Sequence, residues 1–489
     1  MGIIRKQATQ TTLLNFIGIA FGSISRIMMP FFISKAQIGL LNILDSISGT
    51  FYSVFNFGYN LLLKKMFPQY RSEEKSHHGF FALGLMISFT GITCALITYY
   101  FFQDYILSSK AADNELLLTF SFLIPPLIVF RILAANTDGY VRMLFNTVIG
   151  AFFESFLTKI LMFGAMVLVA FTLVSFELYL YIYVSALMLP GLVIVIYAWL
   201  KTPKVVMPDR ELWVKRKEVS TYLLFGVLGG ASTSIVLYID QLMLNKMISL
   251  SAVGVYSIMF FASNLISIPS RNLRRISNVI VAEAWKKDDR EEIQDIYQKS
   301  AINLLIIGIY LFFIGWWLLP VALEFLPDYK EGLYVFFFLG LARVVDLGTG
   351  INSDIIETGP KFKWNTYMNI LFALVVFGTN MVFIPMYGLV GAGLASCISL
   401  VSINIVRLIF LKHHFGFTLA SPAYFKTLLV GVAFILLAHF AVLPFSPILS
   451  MTLIFIVGTA AFAFVTLKMK LSTEVNDAYY KVMKRIGRK

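Results

Sequence analysis

Stretches of about twenty mostly apolar residues recur from one end of this 489-residue chain to the other, and nothing else in the sequence limits its fold as much. The hydrocarbon core of a bilayer is about 30 Å thick and is crossed by about 20 residues of α-helix. Inside it every backbone polar group must be satisfied by the segment itself, which leaves the helix as the form for such runs. The runs predict spans near 11–33, 37–63, 79–102, 116–136, 147–172, 178–200, 219–245, 252–280, 300–323, 332–357, 365–385, 389–411, 424–443 and 448–467. The fold class expected is an all-α integral membrane protein of about fourteen helices, and an even number puts both termini on one side.

The charges say which side. Connections on the side of the N-terminus hold 21 Lys and Arg and the tail 468–489 holds 7, against only Lys35, Lys110, Lys246 and Lys330 on the other side. Basic loops stay in the cytoplasm, so both termini are expected there, in a multi-pass membrane protein. The net charge of +13 is thus a topology signal rather than a footprint for nucleic acid, which is not expected as a partner. No connection is long enough to hold a folded domain. The segment 201–218 carries Pro203 and Pro208 and reads as a linker between halves, and the tail sets Lys481, Lys484 and Arg485 beside Tyr479, Tyr480 and Ile486, an amphipathic pattern suited to an anionic leaflet.

Ionisable residues at membrane depth cost about 2.5–3.5 kcal/mol each on insertion scales and usually face a protein interior or a watery cavity. Arg271, Arg274 and Arg275 fall within five positions, and with Asn264 and Asn278 they form one polar stripe on a helix. Against a cavity role, Arg274 and Arg275 lie near enough to the helix end to snorkel to headgroups. The second helix carries its own stripe, Asn42, Asp45, Ser46, Gly49, Ser53, Asn56 and Asn60, expected to run unbroken along its length. Arg131 and Asp138, with Arg343, Asp346, Asp354 and Glu357, read as internal ion pairs or gates. Glu154 and Lys159 are five apart and are poor partners on one α-helix. Within the spans basic residues lead, eight against four (Asp45, Glu154, Asp240 and Asp346).

The chain also repeats. A shift of 215 lays residues 36–41 on 251–256, each a short turn between long helices, and a shift of 212 lays Arg131 on Arg343. Ser25-Arg26 then stands opposite Asp240-Gln241, so the duplication is asymmetric in charge. The division expected is two pseudo-symmetric six-helix lobes, 1–200 and 219–412, joined by 201–218, followed by a helix pair at 413–467 and the basic tail 468–489, with a central cavity.

Tyr238-Ile239-Asp240, Val253-Gly254-Val255-Tyr256-Ser257 and above all Ile384-Pro385-Met386-Tyr387-Gly388-Leu389-Val390-Gly391-Ala392-Gly393-Leu394-Ala395 give the chain its resemblance to the MOP exporter superfamily, over nearly its whole length. More narrowly it resembles the polysaccharide-biosynthesis branch. That likeness implies a flippase carrying an undecaprenyl-pyrophosphate-linked oligosaccharide repeat unit across the inner membrane by alternating access, as a monomer among membrane lipids and other polysaccharide-assembly proteins. It implies a cavity in which Arg26, Arg271, Arg274 and Arg275 hold the pyrophosphate, since guanidinium groups bind phosphate bidentately. Sugar hydroxyls would meet Asn42, Asp45, Asn56, Asn60 and Asn264, while Asp240, Arg131, Arg343 and Asp346 serve gating or ion coupling.

Two other readings stay open. Asp45 and Asp240 suit a cation-coupled multidrug exporter, and a membrane glycan polymerase or glycosyltransferase would need a large loop that the sequence lacks. No catalytic residue, cofactor or metal is expected. The histidine pairs His77-His78 and His413-His414 point to different faces of a helix, and the glycine run at 388–393 has no phosphate-loop context and reads as a tight turn with close helix packing.

Overall fold

The computed structural model describes residues 2–72, 74–109, 113–202, 205–440 and 443–486, and these are helical throughout, with no strand among them. They form two compact units, Met1–Ser257 and Ile258–Lys489. Among the described residues eleven helices are long and apolar enough to cross a membrane, and two further bent pairs qualify together. One of the eleven, Lys363–Phe415, is 53 residues long and turns back on itself at Gly388. Counted as two, it brings the total to the fourteen that the apolar runs predict.

In unit 1 the elements that matter are α1 (Gly2–Phe32), α2 (Lys35–Phe55), α3 (Tyr59–Tyr70), α4 (Phe80–Phe101), α5 (Ile124–Met143), a π-helical turn (Ala151–Leu157), α6 (Thr158–Ala170), α7 (Phe176–Lys201), α8 (Arg216–Met247) and the start of α9 (Leu250–Leu265). Helix α5 is the hub, with α2, α4 and α7 against it; α8 lies along α2, and α1 packs on the π turn and α6. Small residues permit these approaches: a Cβ on Gly18 would fall 1.8 Å from the Ser155 carbonyl oxygen, and one on Gly191 2.3 Å from that of Phe130.

Unit 2 continues α9 and holds α10 (Ile268–Lys287), α11 (Arg290–Ala322), α12 (Leu333–Gly348), α13 (Asn352–Thr358), α14 (Lys363–Phe415), α15 (Pro422–Phe440), α16 (Pro447–Lys468) and α17 (Thr473–Ile486). Its core helix is α11, which meets α10, α12, α15 and α16. Inside α14 the chain reverses at Gly388, whose φ of 59° and ψ of −133° suit only glycine. The two arms then pack antiparallel: Thr379 and Ser399 hydroxyls lie 2.8 Å apart, and a Cβ on Gly391 would fall 1.9 Å from the Phe383 carbonyl oxygen. The glycine run is thus a tight turn with close packing.

Besides the predicted span 332–357, which bends by 50° between α12 and α13, two of the expected helices are broken. The predicted span 37–63 divides at Asn56–Gly58, where the Asn56 carboxamide oxygen accepts the Gly58 N–H at 2.7 Å and Phe57 and Gly58 take left-handed φ values of 49° and 67°. The polar stripe of the second helix is therefore interrupted, and Asn56 serves the turn. The predicted span 252–280 divides at Ile266–Ser267, just before Pro269, which lacks an N–H and clashes with a helical carbonyl behind it. The breaks fall about 210 residues apart, so the duplication seen in sequence extends to where the paired helices bend.

Candidate functional site

A cavity of about 490 Å³ lies wholly within unit 1, bounded by α2, α3, α5, α6, α7, α8 and the π turn. Its charged lining is Lys64, Arg131, Arg142, Lys159 and Glu154, with Tyr52, Asn60, Thr158 and Tyr238 adding polar groups. Helix α5 supplies two of the cations. Arg131 donates to both the carboxylate and the backbone carbonyl of Asp45 on α2, the latter at 3.0 Å. Arg142, three turns on, pairs with Asp138 and lies 3.8 Å from Glu154. The sequence groups Arg131 with Asp138; the structure instead gives Asp138 to Arg142, four residues along the same helix face, and sends Arg131 across to α2.

Lys159 enters from α6. Its stem runs beside α1, where a Cβ on Gly22 would meet its Cδ at 3.3 Å, and the Asp45 carboxylate lies in the field of Arg131, Arg26 and Lys159 together. Arg26, one turn on from Gly22, donates to the Asn42 side chain at 3.0 Å. The π turn explains how both Glu154 and Lys159 line the cavity. Five residues span well over one turn of α-helix but close to one turn of π-helix, and such turns recur at functional sites.

Other residues singled out in the sequence have structural partners. Asn60 lines the cavity and donates to the Ala135 carbonyl at 3.4 Å. Asp240 is buried on α8 and accepts from the Tyr256 hydroxyl. In unit 2, Arg274 reaches two carboxylates, Asp346 on α12 at 3.5 Å and Asp354 on α13 at 3.7 Å. Asp346 also accepts from Asn404 at 3.2 Å, and the other end of that carboxamide accepts from Thr349 and Asn352, each at 2.8 Å. Arg343 lies over the Phe260 ring, 5.7 Å from its centroid. Arg271 is exposed, Asn264 is half-buried and its carbonyl accepts the Ser267 N–H at the break, and the side chain of Arg275 lies outside the described residues.

The sequence thus singles out Arg26, Asp45, Asn60 and Arg131, which the structure brings together. It misses Lys64, Arg142 and Lys159 as a group. Arg142 lies past the predicted end of its helix at 136, yet α5 continues to Met143 and carries it into the cavity.

This arrangement defines the class of fold. Bundles of this kind are found in membrane transporters, and the chain is similar to three solved ones. One is a "Lipid II flippase MurJ, inward closed conformation", with a TM-score of 0.70 at 13% identity, covering 94% of this chain and 99% of that one. Another is a multidrug resistance MATE family transporter of the MOP superfamily in an inward-facing conformation, with a TM-score of 0.64 at 14% identity over 85% of this chain and 99% of that one. The third is a MOP superfamily transporter from Pyrococcus furiosus, with a TM-score of 0.51 at 13% identity over 90% and 97% of the two chains. No protein-family profile and no curated protein sequence matches the chain. The protein is a multi-pass membrane protein with the fold shared by these transporters.

Proposed function

We propose that the protein is a flippase that moves an undecaprenyl-pyrophosphate-linked oligosaccharide repeat unit across the bacterial inner membrane by alternating access, for surface polysaccharide assembly. The observation that carries the reading is the charge of the unit 1 cavity. Around it stand five cations, Arg26, Lys64, Arg131, Arg142 and Lys159, against three carboxylates, Asp45, Asp138 and Glu154. The excess is positive, at a depth where uncompensated charge is costly. A diphosphate diester carries one negative charge on each phosphate and supplies that compensation, and desolvated guanidinium and ammonium groups bind it strongly. Arg26 and Lys159, which form no ion pair with a carboxylate among the described residues, hold the diphosphate. Asn60 and Tyr52 meet sugar hydroxyls, and the prenyl chain stays in lipid.

A cationic drug fits this cavity poorly. Asp45 is engaged by Arg131 and Asp240 by Tyr256, so neither carboxylate is open to an organic cation. The test is transport of a lipid-linked oligosaccharide in proteoliposomes by the Arg26→Gln/Lys159→Gln double variant. The rate should fall at least about a hundredfold, the scale expected when two charge-assisted contacts are lost. A wild-type rate in that variant overturns the proposal.

A further inference from the structure

A second cavity, of about 300 Å³, lies within unit 2 where the ends of α11, α12, α15 and α16 meet. Helix α11 leaves the basic connection 281–299 and ends at Ala322, so this cavity sits at the opposite end of the spans from the basic loops. That is headgroup depth, where aromatic side chains gather.

Its walls are aromatic. Trp316 is buried and stacks on His439 with centroids 6.1 Å apart and planes 11° from parallel; Tyr334 packs 6.2 Å from the same indole, and Trp317 and Phe445 add further faces. Among the described residues Glu324, just past the last turn of α11, is the one acidic residue of the lining, which has no Lys or Arg. Aromatic faces attract cations through the ring quadrupole, most strongly where water is excluded, and a carboxylate beside them selects the same charge. A sugar would stack on the rings too; what favours an ammonium over it is the Glu324 carboxylate with no Lys or Arg beside it among the described lining residues. Besides Glu324 the polar groups of the lining are His439, Ser450, the Tyr334 hydroxyl and the indole N–H groups of Trp316 and Trp317, and the Ser450 hydroxyl donates to the Phe445 carbonyl at 3.3 Å. Beside the cavity the exposed faces of α15 and α16, with Leu436, Leu437, Phe440, Ile448 and Leu449, give acyl chains an apolar surface.

From this geometry we propose that the cavity binds the ammonium headgroup of a zwitterionic aminophospholipid in the leaflet opposite the basic loops. The ammonium lies between the faces of Trp317 and Tyr334 and the Glu324 carboxylate, and the chains run along α15 and α16. The site is independent of the unit 1 cavity and of what that cavity carries.

The test is native mass spectrometry of the full-length protein released from nanodiscs of equal phosphatidylethanolamine and phosphatidylglycerol. The wild type should retain the ethanolamine lipid, and Glu324→Gln and Trp317→Leu should each lower that retention at least about fivefold while leaving the glycerol lipid unchanged. Equal retention of the two lipids by the wild type, or full retention of the ethanolamine lipid by Glu324→Gln, overturns the proposal. Free phosphoethanolamine added as a competitor separates the sources: if it displaces the lipid at millimolar concentration, the site belongs to a soluble amine and the lipid assignment fails.

Discussion

Gly39 and Gly254 make the same contact from opposite sides. A Cβ on Gly39 would lie 2.0 Å from the carbonyl oxygen of Leu250, four residues before Gly254; a Cβ on Gly254 would lie 2.0 Å from the carbonyl oxygen of Lys35, four residues before Gly39. Such reciprocity is the mark of a two-fold relation, and the 215-residue shift carries one glycine onto the other. The duplicated turn is therefore a backbone-to-backbone crossing of α2 and α9 that requires glycine on both sides. Asp113 fastens it, its carboxylate accepting the Leu250 and Ser251 N–H groups at 3.1 and 2.8 Å and so capping α9.

Gly39→Val and Gly254→Val should each push the crossing apart, since the carbonyl a new side chain meets is backbone and has nowhere to turn. Each is expected to slow the proposed transport of a lipid-linked oligosaccharide at least about tenfold, and the double variant little more, because both break one contact. Transport in proteoliposomes, beside a melting curve showing a folded protein, decides this. Additive losses would mean two independent defects.

The half-buried pair Asp45–Arg131 separates stability from transport. Removing one partner strands the other inside the bundle, at a cost toward the lower end of about 3–5 kcal/mol because the pair borders a cavity. Asp45→Asn or Arg131→Gln alone should melt well below the wild type in detergent. The double variant should recover much of that loss yet transport poorly, since one cavity cation is gone. Additive losses, with the double variant less stable than either single one, would show that the two residues do not act as a pair.

What was legible in the sequence follows from which forces are local. Span number was legible because a bilayer imposes length and apolarity on each segment separately, and the Gly388 reversal because only glycine takes that backbone shape. The break at Asn56 was not, since asparagine at helical spacing looks the same whether its amide faces a cavity or, as here, closes a turn on Gly58. The grouping of Lys159 with Arg26 was hidden for another reason. It depends on a π turn that changes the face on which residues five apart fall, and on α1 packing beside α6, neither of which has a sequence period.

Gly388 itself offers a test free of packing effects. Nothing lies within 4 Å of where its Cβ would be, so Gly388→Ala should cost only the backbone strain of its φ of 59°, about 1–3 kcal/mol. Gly378 has equally open space but sits in regular helix, and Gly378→Ala should be neutral or stabilising by about 0.5–1 kcal/mol. Melting temperatures of the two variants check this directly; equal shifts would mean that the reversal at 388 does not need glycine.

Arg274 makes the last case, because a loss of transport on its removal can arise without any contact to substrate. It reaches Asp346 at 3.5 Å and Asp354 at 3.7 Å, tying α10 to α12 and α13, and Asp346 is held in turn by Asn404 on α14. Arg274→Ala leaves two partly buried carboxylates without a cation, which should destabilise the protein by several kcal/mol. If the arginine acts through this clamp, adding Asp346→Asn and Asp354→Asn to Arg274→Ala should restore the melting temperature and most of the transport rate. If it holds the diphosphate, the triple variant should fold well and still fail to transport. Melting and proteoliposome transport on the same preparations tell these apart, and the geometry favours the clamp: a guanidinium between two carboxylates has little charge left to offer a third anion.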